Sequence, residues 1–187
     1  LNSSIIKRSD VLEKLLKTIK KSTKLISTTG FTSRELNQIR SKKRINKGND
    51  FYMVGGMGHS SALSLGVSSK TKHDVICLDG DGSFLMHLGS IVSIGKKGRK
   101  NFKHLLFNNF AHESVGGQST NIDKVNIKRL IKSVGYKNYF LLKKKNEIEK
   151  KLKIFLKKPG PSLLEVRIKI GSMKDLSRPE NLIKIKK

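Results

Sequence analysis

The chain has 187 residues, 36% of them hydrophobic, which is enough for one globular domain with a sizeable core. No apolar run approaches the roughly 20 residues that cross a bilayer, and no secretory signal pattern is recognisable, so we expect no membrane partner. The formal net charge of +26 ordinarily suggests a nucleic-acid partner, but residues 51–95, in the middle of the chain, hold only two basic and three acidic residues.

Helical and strand patterns alternate along the whole chain. In chain order they predict a helix at 10–21, a strand at 24–27, a helix at 32–41, a loop at 42–50, a strand at 51–54, a helix at 59–69, a strand at 74–79, a helix at 84–95, a strand at 103–107, a loop at 110–122, a helix at 123–134, a strand at 139–142, a helix at 146–157 and a strand at 162–168. Strands that alternate with helices form an open, mostly parallel sheet with helices on both faces, so we predict a single α/β domain over residues 1–187. Ligands of such sheets bind at the carboxyl ends of the strands.

Two polar motifs each come directly after a strand candidate. The first is Gly80-Asp81-Gly82, and the second is Asn108-Asn109. Parallel strands would bring Asp81 and Asn109 to the same edge of the sheet, where their hard oxygens suit Mg²⁺ or Ca²⁺ better than zinc. The glycines allow a phosphate to approach the backbone, and the N–H groups of Gly82 and Ser83 begin the following helix. Either motif alone also serves as an ordinary turn, so this prediction rests on their combination.

A histidine and a glutamate continue the second motif. His112 and Glu113 follow the asparagine pair and precede two glycines, so both are predicted to line a substrate pocket. A histidine that titrates near neutral pH is a natural proton donor to a carbanion. The other histidines of the central region, His59, His87 and His104, are scattered, and we expect them to be structural or exposed.

The chain resembles the phosphonopyruvate decarboxylase family, specifically its C-terminal, diphosphate-binding half. The resemblance covers roughly residues 10–170 and is carried by four stretches: 27–36, 51–60, 78–89 and 108–120. The last stretch is the most discriminating, because the asparagine pair continues directly into Ala-His-Glu-Ser-Val-Gly-Gly-Gln. Sulfopyruvate decarboxylase, whose β subunit has about this length, is a close cousin of that family.

The resemblance implies a thiamine-diphosphate-binding fold, with thiamine diphosphate and Mg²⁺ as cofactors. Asp81, Asn109 and the backbone carbonyl of Ala111 would hold the metal, which clamps the diphosphate. Met57, which lies between glycines, would be the apolar wedge that keeps the cofactor bent, and the alternative is a core residue beside a tight turn. The implied cofactor-binding residues are Thr29, Gly30, Gly55, Met57, Gly80, Asp81, Gly82, Ser83, Asn109 and Ala111, and the candidate catalytic residues are His112 and Glu113.

The implied reaction converts 3-phosphonopyruvate to phosphonoacetaldehyde and CO₂ in phosphonate biosynthesis. In thiamine enzymes a glutamate from a pyrimidine-binding domain activates the cofactor, and residues 1–23 predict only one helix. We therefore expect that domain to be absent from this chain and to be supplied by a partner, within an oligomer. Simple pyruvate decarboxylases carry a glutamate six residues after the metal-binding asparagine, but that position is Val115 here, so any acid comes from elsewhere.

Three functional hypotheses stay open at this point. The first is the phosphonopyruvate decarboxylase half, and the second keeps the cofactor but changes the substrate to sulfopyruvate or another anionic 2-oxo acid. The third is a basic nucleic-acid-binding domain. We expect no nucleic-acid partner, because the excess of 32 lysines over 8 arginines fits compositional drift on solvated surfaces and no nucleic-acid-binding motif accompanies it. The single cysteine, Cys77, is predicted to be a core residue and fits a reducing cytoplasm.

Overall fold

The computed structural model describes residues 5–42 and 49–179, and these form six strands and seven α-helices. Their bounds, in chain order, are α1 (Arg8–Thr18), β1 (Lys24–Ser27), α2 (Phe31–Lys42), β2 (Asn49–Tyr52), α3 (Ser60–Lys70), β3 (Val75–Gly80), α4 (Asp81–Met86), α5 (Ser90–Lys97), β4 (Phe102–Asn108), α6 (Ile127–Ser133), β5 (Asn138–Leu142), α7 (Ile148–Lys157) and β6 (Ser162–Arg167). Three short 3₁₀ turns occupy Glu113–Val115, Ile122–Lys124 and Lys145–Glu147.

All six strands pair in parallel, in the order β2-β1-β3-β4-β6-β5. The central strands β3 and β4 are buried along almost their whole length, which explains why their sequences are apolar runs rather than alternating patterns. Because every strand runs the same way, all the carboxyl ends lie at one edge of the sheet. The predicted open, parallel α/β architecture is therefore confirmed.

The helices cover both faces of the sheet, as predicted. Helices α1, α2 and α7 pack on one face around a core that includes Leu12, Leu36 and Leu152. Helices α4, α5 and α6 pack on the other face around Phe84 and Ile131, and α3 joins them there. The buried positions of α3 are serines, whose small side chains let this helix lie close to β3.

The predicted bounds of one helix and one strand are wrong. The helix predicted at 84–95 is divided into α4 and α5, because the backbone leaves helical geometry at His87 (φ −131°, ψ 45°). Strand β2 ends two residues before the end of the strand predicted at 51–54. Its pairing with β1 places Tyr52 opposite Ser27, so the two strands finish together at the edge of the sheet.

The start of α6 also differs from the prediction at 123–134. Asn126 caps this helix by accepting a hydrogen bond from the Arg129 backbone N–H at 3.0 Å, and the residues before it form a 3₁₀ turn. The loop predicted at 42–50 is wrong at both ends, because α2 continues to Lys42 and β2 already begins at Asn49. The residues between them lie outside the described residues. The prediction for Cys77 is confirmed, since it is fully buried in β3 and burial raises the pKa of its thiol. Among the helices described, none is long and apolar enough to cross a membrane.

Candidate active site

A cleft opens at the carboxyl edge of the sheet, where β1, β3 and β4 end. Its wall contains ten of the twelve predicted site residues: Thr29, Met57, Gly80, Asp81, Gly82, Ser83, Asn109, Ala111, His112 and Glu113. Gly30 and Gly55 do not contribute to this wall. Gly55 is exposed, and Gly30 lies beside Ser114 of the wall, where its φ of +94° and the nearby hydroxyl of Ser114 both favour glycine.

Asp81 is a buried carboxylate at the first residue of α4. Its Oδ2 accepts a hydrogen bond from the Thr120 hydroxyl at 2.9 Å, and backbone amides supply further contacts. Burial raises the pKa of the Asp81 carboxyl above its ordinary value despite these hydrogen bonds. Within the described ranges, no lysine or arginine forms an ion pair with it. A divalent cation would supply the positive charge that this carboxylate lacks.

Asn109 lies in the turn that leaves β4. Its Oδ1 accepts the Ala111 backbone N–H at 3.1 Å, and its Nδ2 donates to Glu113 Oε2 at 2.8 Å. Phe110, which lies between Asn109 and Ala111, adopts a left-handed backbone conformation (φ 63°) that brings Ala111 back toward the cleft. The preceding residue, Asn108, is fully buried and donates to a glutamate of β6 instead. Of the asparagine pair, only Asn109 therefore faces the cleft.

His112 packs against the first turn of α4. A Cβ placed on Gly82 would lie 2.4 Å from Nδ1 of His112, which is far closer than a normal contact. Gly82 is therefore required by the histidine ring itself, in addition to any ligand. The sequence had linked this glycine only to a phosphate. By contrast, a Cβ on Gly80 would meet nothing within 4 Å, so the space above the end of β3 is open to a ligand.

The Ser83 hydroxyl joins α4 to two of the loops that form the cleft. It lies 2.8 Å from the Thr28 hydroxyl at the end of β1, and it accepts the Gly58 backbone N–H at 3.1 Å. The turn that carries Met57 depends on positive φ angles at Gly56 (63°) and Gly58 (93°). Met57 is half-buried and lines the cleft, so its side chain is available to support a ligand from below.

The comparisons with known proteins agree with this geometry. Residues 28–166 match the family model described as "Thiamine pyrophosphate enzyme, C-terminal TPP binding domain", and this segment contains every predicted site residue. The match covers most of the chain. The chain belongs to this family.

Relatives of this TPP-binding domain include decarboxylases of two substrates. The chain is 35% identical over 173 residues to a phosphonopyruvate decarboxylase from Streptomyces viridochromogenes. The aligned residues make up 92% of this chain and 42% of that protein. The chain is also 35% identical over 130 residues to a sulfopyruvate decarboxylase subunit β from Methanocaldococcus jannaschii. This alignment covers 69% of this chain and 66% of that subunit. The chain thus spans less than half of the phosphonopyruvate decarboxylases that it matches.

A solved structure from Mycobacterium smegmatis has the same fold. That structure is described as a "putative thiamin diphosphate-dependent enzyme". It superposes with a TM-score of 0.67 over 88% of this chain and 32% of its own. The sequence identity is 16%, so the likeness establishes the fold alone. The parallel α/β fold of this chain is therefore found within a longer protein chain.

A buried ion cluster beside the cleft of the TPP-binding domain was not predicted from the sequence. Arg8, the first residue of α1, contacts Glu35 Oε1 through Nη1 at 3.2 Å and Glu113 Oε2 through Nη2 at 2.8 Å. A signal existed, because Arg8 lies one turn before Val11 and Leu12 and so occupies the apolar face of the helix. A charged residue at such a position needs a buried partner.

A second buried polar group lies behind the end of β3. Asp79 Oδ2 is 3.2 Å from His104 Nε2, and His104 Nδ1 is 3.1 Å from the Tyr136 hydroxyl. The other oxygen of Asp79 accepts the Gly80 backbone N–H, which fixes the residue before Asp81. His104 is fully buried, in agreement with the expectation that it is structural.

Proposed function

We propose that this domain binds Mg²⁺ through Asp81, Asn109 and the backbone carbonyl of Ala111. The observation that carries the proposal is the buried Asp81 carboxylate with no cationic partner among the described residues. All three donors are hard oxygens, which is the set that Mg²⁺ prefers. The Ala111 N–H bond to Asn109 Oδ1 supports the proposal further, because it draws the second and third donors into one tight turn.

The cofactor that this metal would anchor is thiamine diphosphate, with its diphosphate beside Gly80, Gly82 and Ser83. The open space at Gly80 supports this arrangement. Met57 would support the bent cofactor, while Thr29, Gly30 and the Gly55 carbonyl would complete its surroundings. When bound, thiamine diphosphate supplies the electron sink that decarboxylation of a 2-oxo acid requires.

We propose decarboxylation of 3-phosphonopyruvate to phosphonoacetaldehyde as the reaction, within phosphonate biosynthesis in the cytoplasm. The relative with that activity matches 92% of this chain, against 69% for the sulfopyruvate relative at the same identity. His112 would deliver a proton to the carbon that loses CO₂, since its ring stands in the cleft wall against the proposed diphosphate site.

Sulfopyruvate is the second candidate substrate. It is favoured by the proportion of the relative that is matched, because the chain spans 66% of the sulfopyruvate decarboxylase β subunit but only 42% of the phosphonopyruvate decarboxylase. The existence of that relative as a subunit also supports a partner for this chain. We propose that the partner is a pyrimidine-binding domain or subunit, which brings the activating glutamate to the cleft in an oligomer.

The test is CO₂ release by the protein co-expressed with the coding segment upstream of it, in the presence of thiamine diphosphate and Mg²⁺. Phosphonopyruvate, sulfopyruvate and pyruvate are compared, and Asp81→Ala serves as the inactive control. We expect turnover of phosphonopyruvate that exceeds that of the other two acids and is lost in Asp81→Ala. Preferential turnover of sulfopyruvate would overturn the substrate assignment, and turnover that survives Asp81→Ala would overturn the metal site.

A further inference from the structure

The carboxylate of Glu113 is surrounded by three hydrogen-bond donors. Arg8 Nη2 and Asn109 Nδ2 both approach Oε2 at 2.8 Å, and the Gly171 backbone N–H donates to Oε1 at 2.6 Å. The side chain is only 11% exposed, although it belongs to a surface loop. A carboxylate offers about four acceptor positions, and three of them are taken by these donors. Glu113 is therefore poorly placed to exchange protons with a substrate.

The contact with Asn109 fixes the orientation of a side chain that has two nearly equivalent rotations. If the Asn109 carboxamide turned over, it would present an NH₂ group to the cleft instead of an oxygen. Glu113 accepts only from the nitrogen end, while the Ala111 N–H donates only to the oxygen end. Both contacts select the same rotation. A negatively charged acceptor on the nitrogen also polarises the amide, which strengthens its oxygen as a ligand.

Arg8 holds Glu113 in this position by donating to the same carboxylate oxygen, Oε2. Its guanidinium is held between Glu113 and Glu35, and the helix that begins at Arg8 is anchored in the core by Val11 and Leu12. A chain of contacts therefore links the core of α1 to the carboxamide of Asn109.

We propose that Glu113 is a positioning residue, which orients the Asn109 carboxamide toward the metal and is itself held by Arg8. The inference rests on the proposed metal site, and it assigns Glu113 a role through Asn109 in place of a direct catalytic one. Partners of this kind behind a metal ligand typically contribute about 10- to 100-fold to metal affinity. The expected defect is thus in metal binding, with little change in the rate once the metal is bound.

The test measures Mn²⁺ binding by electron paramagnetic resonance in the protein co-expressed with its upstream segment, with thiamine diphosphate present. In Glu113→Ala we expect the dissociation constant for Mn²⁺ to rise about 10- to 100-fold, and kcat to recover at saturating metal. Glu113→Gln keeps an acceptor oxygen for Asn109 but loses the charge, so its constant should lie between those of the wild type and Glu113→Ala. Thermal unfolding of each variant reports whether it is folded.

Glu35→Gln is the matched control, because Glu35 also holds Arg8 but does not contact Asn109. Its dissociation constant for Mn²⁺ should stay within about twofold of the wild type, which is well below the effect expected of a direct partner of a metal ligand. An equal loss of affinity in Glu35→Gln would show that the cluster is merely structural and would overturn the inference. Unchanged affinity in Glu113→Ala would do the same, and if that variant does not fold, unchanged affinity in Glu113→Gln decides against it. Absence of Mn²⁺ binding in the wild type would overturn the metal site itself.

Discussion

Replacing Gly82 by alanine tests the arrangement of α4 against His112. The added Cβ would lie 2.4 Å from Nδ1 and 2.6 Å from Cε1 of the His112 ring, against about 3.5 Å for an ordinary contact. The ring must therefore move by about 1 Å, because the Cβ is fixed by the backbone of α4. A misplacement of about 1 Å in a group that acts on the substrate can reduce activity by about 100-fold.

The stability of Gly82→Ala should fall, but not by enough to unfold the protein. Alanine is favoured over glycine in a helix by about 0.5–1 kcal/mol, and overpacking against a side chain that can rotate costs about 1–3 kcal/mol. The net loss of unfolding free energy is thus expected to be about 2.5 kcal/mol or less. Gly66→Ala is the matched control, because Gly66 lies in α3 and an added Cβ there has no neighbour within 4 Å.

Steady-state kinetics and urea unfolding of Gly82→Ala, His112→Ala and the double variant separate the possible causes. Once the His112 ring is removed, the Cβ added by Gly82→Ala no longer clashes with it. Adding Gly82→Ala to His112→Ala should therefore cause no further loss of kcat, and the double variant should be free of the clash that destabilises Gly82→Ala alone. Wild-type activity in Gly82→Ala would refute the position of the ring or its role in the reaction. A full additive loss in the double variant would show that Gly82 acts without His112, through direct contact with the cofactor.

Three other predictions concern the metal, the packing and the pH dependence. In a thermal unfolding assay with thiamine diphosphate present, Mg²⁺ at about 100 times its dissociation constant should stabilise the wild type by about 2.7 kcal/mol. Asp81→Asn should abolish this stabilisation, and an equal stabilisation of the variant would exclude Asp81 as a ligand. Gly95→Ala should lower the unfolding free energy by about 3 kcal/mol or more, because its Cβ would lie 1.7 Å from the Val134 carbonyl oxygen and backbone cannot rotate away; a stable variant in urea unfolding would contradict the close contact of α5 with the end of α6. Burial raises the pKa of the Glu35 carboxyl above 4.5, and this effect outweighs the lowering effect of Arg8. Glu35 therefore stabilises the fold at a pH below its pKa in the unfolded chain. This stabilisation is lost as the pH rises through its pKa in the folded chain. The stability of Glu35→Gln relative to the wild type should therefore rise from about pH 4 toward neutral pH, and a flat difference would contradict the shifted titration.

The sequence by itself determined the parallel α/β architecture and the edge of the sheet at which Asp81 and Asn109 lie. Apolar runs such as that of β3 identify buried parallel strands, because a strand that is covered by helices on both faces has apolar side chains on both faces. Once the sheet is parallel, every residue that directly follows a strand lies at the same edge, and Asp81 and Asn109 both line the cleft there. Cys77 was assigned to the core for the same reason.

The tertiary structure decided which side chains hold those residues in place. Glu113 meets Arg8 across 105 positions of sequence and turns toward Asn109, a pairing that no local pattern encodes. The close approach of His112 to Gly82, the break between α4 and α5, and the exposure of Gly55 were equally out of reach. Periodicity and motif spacing report what each segment can form, whereas contacts between segments depend on how the helices pack on the sheet, and only the folded chain fixes that packing.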